Sequence, residues 1–278
     1  MPPLTPAATY GTAGAATDGL PTVHLTRYIV PLREGGSLPG LMEADDLGTY
    51  AVKYRGAGQG LKALIAEVIA GRLAQLLGLP TPRLVGAVLP AELAPGEPDE
   101  EVQALLRAST GLNLGVDYLP GALDVNPRRP DPDRSFTGRV LWFDAVIGNA
   151  DRSWRNPNLL VWHRQTYLID HGASLTFHHN WATADNYVAR PYDAADHALM
   201  GSRPDVAAAD DALAGRADVS LVTDAVAAVP QEWLAADTSF ASPAEARQRY
   251  VDLICERVAR RDAWLPGLIT QAEPGGAG

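Results

Sequence analysis

Residues 143–174 read FDAVIGNADRSWRNPNLLVWHRQTYLIDHGAS, and this stretch decides the fold. Asp151 and Asn156 follow an apolar run that has a helical period. Two short apolar runs, NLLVW and TYLI, come next and predict a β-hairpin. Asp170 follows the second run directly and precedes a histidine and a glycine. An acid, an amide and a second acid in this order are the groups that phosphoryl-transfer chemistry needs.

The spacing of these polar residues matches two kinase motifs. Asp151 and Asn156 fit the D-x-x-x-x-N of a catalytic loop, and D-H-G at 170–172 stands where many kinases have D-F-G. We therefore expect Asp151 to accept or orient the proton of an acceptor hydroxyl. Asn156 and Asp170 are expected to hold Mg²⁺, a hard ion that prefers oxygen ligands. Asn158 lies two residues further on and competes with Asn156 as the amide ligand.

The same loop lacks the usual lysine and contains two arginines. Arg152 follows Asp151 directly, and Arg155 precedes Asn156. Either guanidinium could neutralise charge on the transferred phosphate, because arginine offers a planar fork of donors to phosphate oxygens. Asp-Arg pairs are also common on protein surfaces, so an ordinary solvated pair is the alternative.

Lysine is rare in this chain. Of its 23 Lys and Arg residues, only Lys53 and Lys62 are lysines. A lysine in so arginine-rich a chain indicates a position where a compact ammonium matters. Lys53 lies in GTYAVKY, residues 48–54, which alternates like a strand and is similar to the V-K segment of kinases. We expect Lys53 to bind the phosphates of a nucleotide.

Residues 61–77 give the clearest helical pattern, with leucine, isoleucine and valine recurring on one broad face. Gly78 ends this predicted helix, and Pro80 prevents its continuation. Glu67 lies away from the apolar face, among alanines and a glycine, which predicts close packing against another part of the protein. We expect Glu67 to pair with Lys53, and an isolated exposed glutamate is the alternative.

Two further segments complete the predicted nucleotide site. A turn between the first two strands would cover the phosphates with Gly35, Gly36 and Ser37. The string GGS lacks the full G-x-G-x-x-G, so an ordinary flexible turn is equally open, and Ser37 is also a candidate regulatory phosphorylation site. The segment GVDYLPG is the expected hinge between two lobes, where backbone groups of Asp117 and Leu119 could meet an adenine.

Composition limits the class of protein. Hydrophobic residues make up 46% of the 278, which allows a sizeable core, and no run approaches the roughly 20 apolar residues of a membrane span. The net charge of −10 and the pI of about 5.0 argue against nucleic-acid binding through a basic face. The single cysteine, Cys255, excludes an intramolecular disulfide and favours a cytoplasmic setting.

The order of elements predicts an α+β, two-lobed protein-kinase-like fold. We expect an N-lobe at 22–118 with an antiparallel sheet plus one helix, and a mostly helical C-lobe at 119–268 with the catalytic and metal-binding loops. Residues 1–21 are predicted to be a disordered lead-in and 269–278 a frayed tail. Late helices are expected near 206–213, 221–229 and 242–265.

These residues resemble the HipA-like kinase family, the bacterial toxin-type relatives of Ser/Thr protein kinases and lipid kinases. The strings DAVIGNADRSWRNPNLL and LIDHGASL carry the resemblance, supported by YAVKY and AEVIAGRLAQLLGLPTP. It implies a protein-kinase-like fold and ATP- and Mg²⁺-dependent phosphorylation, often of Ser or Thr on proteins. The chain is similar to compact members, because longer toxins carry an additional N-terminal subdomain.

The identity of the acceptor stays open. Ser153 and Trp154 stand where longer relatives commonly have a histidine, so the acceptor could be a protein or a small molecule. An acidic or aromatic pocket near Trp154 would favour a small-molecule kinase on the same fold. A non-catalytic nucleotide-binding pseudokinase is the third hypothesis, and the intact set of lysine, acids and amide argues against it.

Overall fold

The computed structural model describes residues 19–32, 39–129, 131 and 133–273. Residues 1–18 of the predicted lead-in and 274–278 of the predicted tail lie outside the described residues. So does the predicted phosphate-covering turn of Gly35, Gly36 and Ser37.

Five strands form the first sheet, and β2 and β3 alternate buried and partly buried side chains as their sequences predict. The strands are β1 (Thr22–Pro31), β2 (Gly40–Ala44), β3 (Thr49–Lys53), β4 (Leu84–Leu89) and β5 (Gly111–Asp117). They pair in the order β1-β2-β3-β5-β4. Their inner side chains form a hydrophobic cluster that includes Met42, Val52 and Val85.

This sheet is a closed barrel, which corrects the expected antiparallel sheet. β1 is ten residues long, which is enough for it to pair with β2 along one part of its length and with β4 along another. From Leu25 onward β1 pairs antiparallel with β2, whereas Thr22, Val23 and His24 pair parallel with β4. Such long-range pairing depends on the register of strands far apart in sequence, which a single hydrophobic pattern does not encode.

The helix α1 (Gly60–Leu77) connects β3 to β4 and ends where the sequence predicts. Gly78 has a φ of 82°, a left-handed conformation that favours glycine, and its N–H donates to the Gln75 carbonyl at 3.0 Å. The small side of the helix is packed as expected, since Ala63, Ala70 and Ala74 are all buried. α1 therefore buries both its leucine face and its alanine face.

The segment between β4 and β5 contains a 3-10 turn at Ala91–Gly96 and α2 (Glu100–Ala108). Asp99 caps α2 by accepting hydrogen bonds from two backbone N–H groups of its first turn. Val102 and Leu106 of α2 pack into the barrel cluster.

The central part of the chain contains a small second sheet and the helix that precedes residues 151–156, the predicted catalytic loop. The elements are β6 (Leu123–Asp124), α3 (Arg134–Ile147), β7 (Leu159–Trp162) and β8 (Gln165–Leu168). The predicted hairpin is confirmed as β7 and β8, which pair antiparallel from Leu159 opposite Leu168. This register places Asn158 and Asp170 near each other at the open end of the hairpin, where the Ile169 N–H donates to the Asn158 carbonyl at 3.1 Å.

The remainder of the described chain is mainly helical. Its helices are α4 (Val206–Leu213), α5 (Val219–Ala227), α6 (Gln231–Ala235), α7 (Pro243–Ala259) and α8 (Leu265–Ala272). Ser242 caps α7 as predicted, by accepting from the Glu245 N–H at 3.2 Å. The helix expected at 242–265 ends at Ala259 instead, a short 3-10 turn at Arg261–Ala263 follows, and Pro266 lies in the first turn of α8.

One large hydrophobic cluster unites α1, α3 and the later helices, with Trp142, Trp233 and Trp264 among its buried side chains. α1 thus packs into the helical core, and six residues connect its N-terminus to the barrel strand β3. Within the residues that the structure describes, no helix is both long and apolar enough to cross a membrane.

Candidate active site

Lys53 brings together two acids that lie far apart in sequence. Its Nζ donates to Oε1 of Glu67 on α1 and, at 2.8 Å, to Oδ1 of Asp170. Lys53 is the last residue of β3 and Asp170 follows β8, so barrel, helix and hairpin each contribute one member. The side chains of Lys53 and Glu67 are 15% and 4% exposed, whereas that of Asp170 is 44% exposed. Asp170 is the member that a ligand can reach.

The charges of this trio depend on one another. Burial alone would lower the pKa of Lys53, but the negative charges of Glu67 and Asp170 outweigh it and raise that pKa above its usual value. Burial acts to raise the pKa of Asp170, but the Lys53 ammonium prevails and lowers it to about 2. Glu67 lies deepest, and burial raises its pKa against the effect of Lys53. Lys53 and Asp170 are therefore both charged at neutral pH.

The D-H-G turn lies against α1. Asp170 has a φ of 55°, a left-handed conformation that aspartate tolerates better than most residues. The Gly172 N–H donates to Glu67 Oε1 at 2.9 Å, and a Cβ at position 172 would lie only 3.2 Å from that oxygen. Glycine at this position allows the backbone to approach the glutamate closely.

His171 is buried between these elements as a packing residue. Its ring meets the edge of Phe143 with 6.1 Å between centroids, and its Nδ1 lies 3.8 Å from Glu67 Oε2. Burial, helped by the charge of Arg152, lowers the pKa of His171 to about 3. The ring is therefore neutral at physiological pH.

Asp151 receives two amide hydrogen bonds on one carboxylate oxygen. Asn156 Nδ2 donates to Asp151 Oδ2 at 2.9 Å, and Asn158 Nδ2 donates to the same atom at 3.2 Å. Asn158 Nδ2 also lies 3.3 Å from the Asp151 carbonyl. Among the described residues, none donates to Asp151 Oδ1. The structure thus brings both candidate amides to Asp151, with Asn156 exposed and Asn158 buried.

Arg152 belongs to a buried network of hydrogen bonds that supports the predicted catalytic loop. Its side chain and that of Asp144 are both 0% exposed, and Arg152 Nε donates to Asp144 Oδ2 at 2.6 Å. Arg152 Nη1 donates to the carbonyls of Asn158 and Ile169. These two residues lie next to the open end of the hairpin, so Arg152 joins the catalytic loop to the segment that carries Asp170.

Asp144 and His197 belong to this network and were not predicted from the sequence. His197 Nε2 lies 3.0 Å from Asp144 Oδ2. Burial opposes ionisation of Asp144, but the charge of Arg152 and the His197 contact outweigh it and hold the pKa of Asp144 far below its usual range. The sequence contains one signal for Asp144, because it is an acid inside the otherwise apolar end of α3. Acids are almost never fully buried unless they are paired, so a partner was to be expected.

The predicted hinge residues lie at the end of β5. Asp117 is opposite Tyr50 in the β3–β5 pairing, three positions from the pair formed by Lys53 and Leu114. Leu119 is buried, and burial raises the pKa of the partly exposed Asp117. Within the described chain, neither residue hydrogen-bonds to the lysine or to the acids of the trio.

Trp154 and Arg155 form an exposed part of the catalytic loop. Trp154 is 46% exposed, and the Arg155 guanidinium lies 4.1 Å from the centre of its ring. Arg155 also lies 3.9 Å from Asp196, with both side chains largely exposed. Arg155 is thus accessible to a ligand, whereas Arg152 is enclosed.

Lys62, the second lysine, connects α1 to the segment after the D-H-G turn. Its Nζ donates to the His178 carbonyl and lies 3.6 Å from Asp237 Oδ2. The ammonium also lies 5.9 Å from the centre of the Trp181 ring. Glu67 and Lys62 therefore hold α1 to residues 172 and 178.

Residues 26–266, most of the chain, match the model of a family described as HipA-like kinase. The chain belongs to the HipA-like kinase family. The family and the fold are those of a kinase-type phosphotransferase. The fold is similar to that of a Helicobacter pylori proinflammatory kinase, CtkA, with a TM-score of 0.51 over 91% of this chain and 98% of that chain. The two sequences are 13% identical, so this likeness concerns the fold alone. No curated protein gives a significant match.

Proposed function

We propose that this HipA-like kinase is an ATP- and Mg²⁺-dependent phosphotransferase of the Ser/Thr protein kinase type. The observation that supports this best is the contact of Lys53 with both Glu67 and Asp170. In protein kinases the pair of strand lysine and helix glutamate must be in place together with the metal-binding aspartate for transfer to occur. Here Lys53 makes both contacts, so the strand lysine, the helix glutamate and the candidate metal-binding aspartate lie together.

The donor set fits Mg²⁺. Asp170 offers a largely accessible carboxylate, and Asn156 uses its amide nitrogen on Asp151, which leaves its carbonyl oxygen free to bind a cation. Across the described residues, no three His, Cys, Asp or Glu side chains cluster as a metal site. Mg²⁺ does not need such a cluster, because it is usually bound by one or two carboxylates together with substrate phosphates and water. Bound Mg²⁺ would neutralise charge on the phosphates, with Asn158 as the alternative amide ligand.

The proposed reaction uses Asp151 as the base. Its Oδ1 accepts the proton of the acceptor hydroxyl while Asn156 and Asn158 hold Oδ2 and so fix the carboxylate plane. The acceptor oxygen forms a bond to the γ-phosphorus as the bond from that phosphorus to the β,γ-bridging oxygen breaks. The electron pair leaves on ADP, and Lys53 stabilises the charge of the phosphates.

The two arginines of the loop take different roles in this proposal. Arg155 is accessible and could neutralise charge at the transferred phosphate. Arg152 is fully committed to Asp144 and to backbone carbonyls, so it supports the loop from below rather than contacting phosphate.

The remaining sequence-based assignments complete the proposal. The turn of Gly35, Gly36 and Ser37 would cover the phosphates, and backbone groups of Asp117 and Leu119 would meet the adenine. We also propose the lobe boundary between residues 118 and 119. A cytoplasmic setting is supported by the single free cysteine, Cys255.

A small-molecule kinase is the second candidate function. A cavity of about 410 Å³ lies beside the catalytic loop, and this volume falls in the range of small-ligand sites. A pseudokinase is disfavoured, because Lys53, Asp151, Asn156 and Asp170 are all present, with Lys53 bonded to Asp170 and Asn156 bonded to Asp151.

Transfer of labelled γ-phosphate from ATP with Mg²⁺, to the protein itself or to a generic protein acceptor, tests the proposal. Asp151→Ala and Asp170→Ala should each abolish transfer, because they remove the base and a metal ligand. Asp211→Ala, at an exposed position on α4, is the matched control and should retain full activity. Tight ATP binding without any transfer would favour a pseudokinase, and absence of ATP binding would refute the proposal.

A further inference from the structure

The cavity of about 410 Å³ beside the catalytic loop has no part in the nucleotide contacts described above. One wall is the catalytic loop, where Ala150 and Arg152 flank Asp151 in the chain. Several residues between 187 and 197 also line the cavity, as does Arg257 of α7. The cavity therefore lies within reach of a molecule whose hydroxyl is held at Asp151.

Arg257 is a buried cation that has no carboxylate partner among the described residues. It is only 2% exposed, and its guanidinium is held by carbonyls instead. Nε donates to the Ala145 carbonyl at 2.7 Å, and Nη1 donates to the carbonyls of Tyr187 and Arg190 at 2.6 and 3.0 Å. The guanidinium also lies 4.7 Å from the centre of the Tyr187 ring.

One nitrogen of Arg257 is left over. Its Nη2 donates to no residue in the described part of the chain. Six side-chain atoms of the described residues are fully enclosed and lack a hydrogen-bond partner, and Nη2 is not one of them, so it is not sealed inside the protein. Because Arg257 lines the cavity, this donor is available to an occupant. A buried charge without a counter-ion is costly, so an anion in the cavity would relieve that cost.

Arg190 adds a second cation to the same lining. Its side chain is exposed and makes no ion pair with the described residues. Two acids, Asp193 and Asp196, also line the cavity, and neither forms an ion pair with Arg190 or Arg257 in the described structure. Asp193 Oδ1 accepts from the Ala195 N–H at 3.0 Å, and Asp196 lies 3.9 Å from the Arg155 guanidinium.

The third arginine of the lining, Arg152, is neutralised by Asp144. Arg190 and Arg257 are therefore the two cations of the cavity that lack an acidic partner. Burial lowers the pKa of Arg257, and the positive charge of Arg190 also acts to lower it, so the two guanidinium groups lie near each other. Neighbouring guanidinium groups are suited to a carboxylate or a phosphate, whose oxygens accept paired hydrogen bonds from arginine.

We propose that this cavity binds the carboxylate or phosphate group of the phosphoryl acceptor, with Arg190 and Arg257 as its partners. The occupant's identity as the acceptor rests on the proposed function, whereas the anion site itself does not. Anchoring a remote charged group would hold the acceptor hydroxyl near Asp151, so that binding energy contributes to orientation.

Binding of inorganic phosphate, measured by calorimetry without ATP, tests the anion site independently of catalysis. The Lys53→Met background removes the other expected phosphate partner. In that background Arg190→Glu should weaken phosphate binding at least about tenfold, because it replaces attraction by repulsion. Ala195→Trp should do the same by filling the cavity, without altering any charged group. Arg164→Glu, at the exposed turn between β7 and β8, is the matched charge reversal and should leave binding unchanged.

Two results would overturn the anion site. One is the absence of phosphate binding in the Lys53→Met background, and the other is phosphate binding that both Arg190→Glu and Ala195→Trp leave unchanged. Arg257→Lys provides a milder test, since it keeps the charge and loses the free Nη2 donor. It should weaken phosphate binding while thermal unfolding shows that the fold is retained.

Phosphoryl transfer then identifies the source of the anion. Three acceptors are compared: glycerol 3-phosphate, a serine peptide with glutamates beside the serine, and the same peptide with glutamines. Preference for the acidic peptide over the glutamine peptide, lost in Arg190→Glu, would assign the site to an acidic residue of a polypeptide. Transfer to glycerol 3-phosphate alone would assign it to a small molecule.

Equal use of the acidic and neutral peptides, with no effect of Arg190→Glu and no transfer to glycerol 3-phosphate, would overturn the acceptor assignment. Arg190-dependent phosphate binding without transfer to any acceptor would refute the proposed function and the acceptor assignment, and would confirm the anion site alone.

Discussion

Replacing Asp144 by asparagine should destabilise the protein strongly, because Asp144 is the only carboxylate in contact with Arg152 in the described structure. Arg152 Nε and His197 Nε2 both converge on Oδ2 of Asp144, at 2.6 and 3.0 Å. An amide has no charge, and it presents either a carbonyl to these donors or an NH₂ group that opposes both. With both side chains of the ion pair 0% exposed, water cannot replace the lost carboxylate.

The expected loss is about 3 kcal/mol or more in the free energy of unfolding, since removing one partner of a buried pair typically costs about 3–5 kcal/mol. For a domain of this size a loss of about 3 kcal/mol corresponds to roughly 6–12 °C in Tm. Urea unfolding at pH 7, followed by tryptophan fluorescence, measures it. Asp211→Asn, exposed on α4, is the control and should change stability little.

The pH dependence gives this prediction a second readout. The folded-state pKa of Asp144 is depressed, so its stabilising contribution is present above the unfolded-state pKa of about 3.9 and is lost as pH falls through the folded value. The stability difference between the wild type and Asp144→Asn should therefore be constant from pH 7 to pH 5 and shrink below about pH 4. A difference under about 1 kcal/mol at pH 7, or one that grows on acidification, would refute the reasoning.

Three other changes separate the roles within the site. Glu67→Gln should lower phosphoryl transfer at least about tenfold in steady-state assays while the protein stays folded, because the buried ammonium of Lys53 loses a charged partner; unchanged kcat would contradict this. Asn156→Ala should raise the Mg²⁺ concentration needed for half-maximal transfer more than Asn158→Ala does, and the reverse order in a Mg²⁺ titration would make Asn158 the amide ligand. Lys62→Met should raise hydrogen exchange at residues 176–180, measured by mass spectrometry, since it removes the link from α1 to the His178 carbonyl; unchanged exchange would show that the link is dispensable.

The parts of the site that could be predicted from sequence are those encoded by local patterns. The catalytic loop, the hairpin and the D-H-G turn follow one another in a single stretch of chain, so short-range spacing is enough to order them. Lys53 and Glu67 could also be predicted from short segments. Lys53 lies in a strand pattern that contains a lysine, and Glu67 is the one acid on the helix face that otherwise carries small residues. Their predicted pairing is present in the structure.

The parts that could not be predicted depend on contacts between distant segments. His197 meets Asp144 across 53 positions, and no motif surrounds His197. The barrel closes because three residues of β1 pair with β4. The same strand also pairs with β2, and its sequence does not indicate that it has two partners. The inward position of Arg152 could not be predicted for the same reason: a D-R string is identical whether the arginine turns outward to phosphate or inward to a buried acid.

The scarcity of lysine has a practical consequence for spectroscopy. Both side-chain ammonium groups of the chain contact elements of the site, one at Glu67 and Asp170 and the other at the His178 carbonyl. Selective ¹⁵N labelling of the lysine side-chain nitrogen would therefore yield a spectrum with two resonances, which a single Lys62→Met sample assigns. One resonance reports on the nucleotide side of α1 and the other on its attachment to the segment after the D-H-G turn. The chain thus carries its own pair of site-specific probes, and titrations of nucleotide or metal can be followed without attaching a foreign reporter group.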